Sequence, residues 1–175
     1  MEVIILGIDP GLQVCGYAAV EVNSSCEKLI EAGVIRTDAA AGLAGRLNQI
    51  ADDITSLLER FGPDVVAVEQ LYSHYKHPKT AILMGHARGV ILQTATMAGA
   101  EVKSFAATRI KKSLTGNGRA SKKQMQRAIQ STLGLGKLPE PADVADAIAV
   151  ALCCANTEDE SRRTDDGNGF QLSLE

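Results

Sequence analysis

Four acidic side chains have positions that could support chemistry. Asp9 follows the apolar run Val3-Ile4-Ile5-Leu6-Gly7-Ile8, Glu69 follows Val65-Val66-Ala67-Val68, and Asp143 and Asp146 stand three apart on a late helical stretch. If the two runs are neighbouring strands, Asp9 and Glu69 emerge on one sheet edge, and a helix laid across that edge adds the other pair. Crowded carboxylates raise one another's pKa, so several ionised acids together are tolerated chiefly when a hard divalent cation neutralises them. An acidic metal cage of this kind points to phosphate chemistry. Taken singly, Asp9 reads as a turn-former before Pro10-Gly11, Glu69 as a strand-end charge, and Asp143 as a helix N-terminal acid favoured by the macrodipole. Asp146 resists such a reading, because it interrupts an otherwise apolar, Ala-rich helix.

The elements that must position these acids follow from periodicity. Residues 3–9, 14–22 and 27–36 read as three strands of an antiparallel meander, the first turn being Asp9-Pro10-Gly11. Leu43, Leu47, Ile50, Ile54, Leu57 and Leu58 recur at helical spacing until Gly62-Pro63, which predicts an amphipathic crossover helix. Further on, 64–68 reads as a buried strand, 79–98 as a helix, 101–105 as a strand, and 121–134 as a helix capped by Ser121. The last helix starts near Pro141, with Val144, Ile148, Ala151, Leu152 and Ala155 as its buried stripe. This order predicts an α/β, ribonuclease H-like fold with a central mixed five-stranded sheet flanked by helices. One ribonuclease H-like domain over 1–156 is expected, with 157–175 an acidic, disordered tail.

Charge is distributed unevenly. The 175 residues sum to −3, which taken alone disfavours a nucleic-acid partner. Yet Lys103, Arg109, Lys111, Lys112, Arg119, Lys122, Lys123 and Arg127 form an acid-free basic stretch, leaving ten basic against twenty-one acidic residues elsewhere. A chance cluster on a solvated helix is the bland explanation. The absence of acids and the Gly116-Asn117-Gly118 break between two basic helical pieces favour phosphate contact instead. Cys15, Cys26, Cys153 and Cys154 have no CxxC spacing, so buried reduced thiols are expected rather than a disulfide frame or zinc site. The N-terminus has no signal-peptide pattern and no run approaches membrane-spanning length, so a cytoplasmic protein with no membrane association is expected. No Walker motif is present, so no nucleotide cofactor is expected.

Five stretches, in order, resemble one family. They are Ile5-Leu6-Gly7-Ile8-Asp9-Pro10-Gly11 with Gly16-Tyr17, then Val68-Glu69-Gln70, Gly85-His86-Ala87-Arg88-Gly89, Thr115 to Lys122, and Ala142 to Ala149. Together they resemble RuvC, the bacterial Holliday-junction resolvases, from residue 3 to about 155. The resemblance implies a structure-specific endonuclease of DNA recombination and repair that makes paired symmetric nicks. It makes Asp9, Glu69 and Asp143 the core catalytic acids and metal ligands, with Asp146 the fourth. It also matches Lys111 and Lys122 to phosphate-binding or catalytic lysines, with Arg119 and Lys123 as helpers. Tyr72 stands where the family carries an aromatic, usually Phe, and would stack on an unpaired base.

The implied chemistry is two-metal hydrolysis, with two Mg²⁺ per site about 4 Å apart flanking the scissile phosphate and Mn²⁺ as a possible substitute. Asp9 would bridge the ions, Glu69 and Asp143 would hold one each, and Asp146 would ligate directly or orient water. Implied partners are four-way junction DNA, a second copy of the chain, and the branch-migration proteins RuvA and RuvB. Leu83, Met84 and Val90 to Leu92 are the expected dimer-interface positions. Three other readings stand against this one. An actin-like sugar kinase or ATPase shares the Asp9-Pro10-Gly11 loop but needs a second lobe, which 175 residues do not supply. A YqgF-like nuclease would act on structured RNA, and a non-cutting module would clamp junctions while lacking one of the acids.

Overall fold

The structure is a computed structural model, and it describes residues 2–23, 26–71 and 78–167. The strands are β1 (Val3–Asp9), β2 (Val14–Val22), β3 (Glu27–Arg36), β4 (Val65–Glu69) and β5 (Glu101–Phe105). The helices are α1 (Leu43–Phe61), α2 (Pro78–Met97), α3 (Ala107–Thr115), α4 (Lys122–Leu133) and α5 (Ala142–Gly167). They assemble as one sheet of order β3-β2-β1-β4-β5. β1 to β3 form the expected antiparallel meander, while β4 and β5 join parallel to β1 through helical crossovers. The mixed five-stranded sheet is the one predicted, with strand ends displaced by no more than one residue.

Alternation along the strands builds two cores. Ile5, Val65, Ala67, Ala18 and Val20 face α3, α4 and α5, whereas Leu6, Ile8, Val66, Val68 and Ala19 face α1 and α2. α1 buries Ile50, Ile54, Leu57 and Leu58 and ends at Gly62, whose φ of 55° suits glycine and whose N–H reaches the Leu58 carbonyl. Each fully buried Ile or Leu contributes about 1.5–3 kcal/mol of transfer free energy.

α5 is the central helix. Residues 144, 145 and 147–155 are buried on every side, as expected for a helix that is apolar all round. It packs against all five strands on one face and against α3 and α4 on the other. Such a lie needs small residues on both surfaces. A Cβ at Gly7 would collide with the Ala147 carbonyl and Ala151, and one at Gly16 with the Asp143 carbonyl. α5 continues to Gly167, past Asn156 where the apolar stripe ends, and the rest of the acidic tail lies outside the described residues.

Two expectations need correction. Cys15, Cys153 and Cys154 are buried free thiols, but Cys26 is exposed. It sits beyond the end of β2, where its backbone N–H donates to Asn23 Oδ1. Ile91, within the segment expected at a dimer interface, is fully buried in the core between α2 and the sheet. Among the described residues no helix is long and apolar enough to cross a membrane.

Candidate active site

Asp9 and Glu69 end adjacent parallel strands. Ile8 pairs with Val68, so the next residue of each strand carries its carboxylate to the same sheet edge. The alternation that sends Ile5 and Ala67 toward α5 also sends Asp9 and Glu69 to that side. The α5 acids arrive by a different route. Asp9 pairs across the antiparallel ladder with Gly16, and the backbone carbonyl of Asp143 occupies the space where a Gly16 side chain would stand. Asp146 is nearly one turn further along the same helix. The absence of a side chain at Gly16 therefore lets the α5 acids approach the β1 acid.

All four carboxylates are partly buried. Burial, the largest cause, together with Glu69, Asp146 and Asp143 pushes the Asp9 carboxyl up to about 7 against the opposing pull of Lys122. The Glu69 carboxyl is raised by burial and by Asp146 against the pull of Lys111. Asp146 is raised chiefly by burial and secondarily by Asp143, while Lys122 and Lys111 lower it. Like charges in a poorly solvated place are held at an energetic cost, which a cation among them would relieve. The donor chemistry fits a hard divalent ion, since every candidate ligand is a carboxylate oxygen. As placed, no three His, Cys, Asp or Glu side chains among the described residues form a closed ligand group. Rotation of the carboxylates would have to bring them together around an ion.

The acids divide between two clefts. One, of about 210 Å³, is lined by Glu69 and Asp146 with Lys111, Lys122 and Met125. The other, of about 430 Å³, is lined by Asp9 and Asp143 with the Pro10–Val14 turn, Arg46, Thr80 and Leu83. The lysines reach the first cleft because α3 and α4 meet at a sharp corner. Gly116 closes α3 with φ 73°, Asn117 Oδ1 accepts from the Arg119 N–H at 2.9 Å, and Ser121 and Gln124 form a capping box that starts α4. Lys122 and Lys123 thus occupy the first turn of α4, where the macrodipole favours acids. Each misplaced charge costs about 0.3–1 kcal/mol, a penalty that a bound anion removes. Of the other predicted DNA contacts, Arg119 and Lys123 are exposed and line neither cleft. Tyr72 lies outside the described residues.

Residues 5–154 match the family model described as crossover junction endodeoxyribonuclease RuvC. The chain belongs to the RuvC family. It is 50% identical to a crossover junction endodeoxyribonuclease RuvC of Rhodopirellula baltica over 149 residues, covering 85% of this chain and 84% of that one. The counterpart from Heliobacterium modesticaldum is 41% identical over 154 residues, covering 88% and 94%. Among solved structures, Thermus thermophilus RuvC in complex with Holliday junction substrate superposes with a TM-score of 0.85 at 30% identity, covering 91% of this chain and 96% of that one. The ribonuclease H-like fold predicted from element order is thereby borne out. RuvC nucleases are metal-dependent in general.

One residue of this RuvC-family site escaped the sequence reading in its role. Arg88, on α2, donates from Nε to the Glu69 backbone carbonyl at 3.2 Å and from Nη2 to Ser104 Oγ at 2.7 Å. It ties the ends of β4 and β5 together just where Glu69 turns into the cleft. The Gly85 to Gly89 motif that contains it was legible, but a contact between α2 and two strand ends has no periodic signature.

Proposed function

We infer that this chain is a crossover junction endodeoxyribonuclease that resolves four-way DNA junctions by hydrolysing phosphodiester bonds. The observation that carries the reading is the meeting of Asp9, Glu69, Asp143 and Asp146 at one sheet edge, beside Lys111 and Lys122, within a RuvC-family fold. In this reading Glu69 and Asp146 serve one cleft, Asp9 and Asp143 serve the other, and Asp9 is the acid that would bridge two ions. Two Mg²⁺ ions, with Mn²⁺ able to replace them, would supply charge neutralisation and an activated water. The carboxylates then orient the reacting groups, and the low solvation of the site strengthens every electrostatic contact. Lys111 and Lys122 hold the phosphate and offset its developing negative charge. Arg119 and Lys123, exposed on the same basic stretch, contact flanking backbone.

A near two-fold junction calls for two active sites in an isologous homodimer. The exposed face of α2 suits that role. Ile82 is 61% and Met97 80% exposed, and Gly85 and Gly89 between them have open space where a side chain would stand. We assign RuvA and RuvB as partners and the cytoplasm as location on the strength of the family alone.

A labelled four-way junction and a matched linear duplex, each with Mg²⁺ or EDTA, test the reading. Paired symmetric nicks confined to the junction, metal-dependent and lost in Asp143→Asn, are expected. Equal cutting of the linear duplex, or tight binding with no nicks, would overturn it.

A further inference from the structure

The turn that follows Asp9 is held by a polar bridge centred on a buried hydroxyl. Thr37 is 9% exposed, the one buried polar or charged side chain among the described residues. Its hydroxyl donates to the Leu12 carbonyl at 2.6 Å and accepts from Arg46 Nε at 2.9 Å. Arg46 Nη2 donates to the same Leu12 carbonyl at 3.2 Å, and the Thr37 N–H donates to the Gln13 carbonyl at 3.2 Å. Three hydrogen bonds thus fix two consecutive carbonyls of a four-residue turn, and a fourth ties Arg46 to Thr37. The turn itself is tight, since a Cβ at Gly11 would strike the Val14 carbonyl, and the Leu12 side chain is anchored in the α1–α2 core.

Arg46 breaks a local rule to be there. It lies near the start of α1, whose first turn carries no acid and whose N-cap Gly42 makes no side-chain cap bond. A cation at that end opposes the macrodipole, so the helix alone does not account for it. The bridge does, and it sits where Arg46, Leu12, Asp9 and Asp143 line the same cleft.

We propose that Thr37 and Arg46 are positioning residues, which clamp the Leu12 carbonyl and so hold the Asp9 carboxylate in its reactive place. They act through the turn backbone and not as DNA ligands. The idea rests on the nuclease reading above, and misplacement of a reacting group by about 1 Å lowers rates roughly a hundredfold.

The test measures junction affinity and single-turnover cleavage at saturating enzyme for Thr37→Val, Thr37→Ser, Arg46→Lys and Arg46→Ala, with thermal unfolding of each. Thr37→Val removes the hydroxyl without touching charge, and Thr37→Ser restores it. Lysine keeps the Arg46 charge but cannot span both acceptors. The expected result is cleavage reduced roughly ten- to a hundredfold in Thr37→Val and Arg46→Lys, near wild type in Thr37→Ser, with affinity changed less than about twofold. Normal cleavage by folded Thr37→Val, or rescue of Arg46→Ala by lysine with the loss seen in affinity, would overturn the proposal. Loss of cleavage in Thr37→Ser equal to that in Thr37→Val would also overturn it. Failure of the wild-type chain to cut junctions would instead strike at the nuclease reading, leaving the clamp to be judged by exchange of the Thr37 amide, which donates to the Gln13 carbonyl and should exchange faster in Arg46→Lys if the clamp holds the turn.

Discussion

Asp9 ends a strand whose preceding residues fill the core, and its carboxyl is pushed up to about 7, chiefly by burial and then by the Glu69, Asp146 and Asp143 carboxylates. Its folded pKa exceeds the unfolded value of 3.8, so the folded chain binds the extra proton more tightly between those limits. The resulting stability is fully present below about pH 4 and is lost as pH rises through about 7. In EDTA, the melting temperature should therefore fall between pH 5 and pH 8, and Asp9→Asn should flatten that dependence. The relief at pH 8 is of order 2 kcal/mol after discounting for solvent screening. Added Mg²⁺ should raise the wild-type melting temperature at pH 8 and leave Asp9→Asn nearly unmoved. The same variant should bind junctions as wild type does and not cut them. Cleavage that survived in Asp9→Asn would remove Asp9 from the site.

At the scale of elements, the decisive contact is the bare crossing of α5 over β1 and β2. Gly7 and Gly16 present backbone to the helix, and Ala147 and Ala151 present the smallest side chains that keep it helical. Gly16→Ala should push the start of α5 away from Asp9. Overpacking of this kind costs about 1–3 kcal/mol, and cleavage should fall far more than stability implies. Calorimetry beside a junction-cutting assay separates the two; equal losses would mean that the crossing only stabilises. The elements themselves were largely readable. The leucine and isoleucine spacing of α1, its stop at Gly62-Pro63 and the Ser121 cap of α4 are local signals, and each appears as predicted. α3 was legible only as a basic piece before Gly116. Its nine residues bury Ile110 alone, too little apolar pattern to mark both ends.

For the whole molecule, charge separation governs how DNA arrives. The basic α3–α4 corner projects from a chain that is otherwise acidic, so junction affinity should fall steeply between 50 and 200 mM salt. Lys111→Ala and Lys122→Ala should each reduce the log–log salt slope by about one if the lysine meets a phosphate. An unchanged slope would place that lysine off the DNA. Oligomeric state belongs to this scale as well. Ile82→Glu with Met97→Glu on α2 should give a monomer by sedimentation, and its nicks should no longer come in symmetric pairs. A dimer that persisted would move the interface elsewhere.

The sequence by itself determined the strands, most of the helices and the family, and it singled out the four candidate acids. Those depend on periodicity, turn chemistry and residue type, all of which are local along the chain. Tertiary structure alone decided which face of the sheet the acids share. It also set how closely α5 approaches Asp9 and which backbone groups Arg88, Arg46 and Thr37 secure. Gly16 shows why: as sequence it is one small residue in a strand, and only the packed helix reveals that its missing side chain is where Asp143 sits. Thr37 and Leu12 lie twenty-five residues apart, and no spacing rule links them. Contacts between distant segments arise from packing, so their chemistry becomes visible only once the chain has folded.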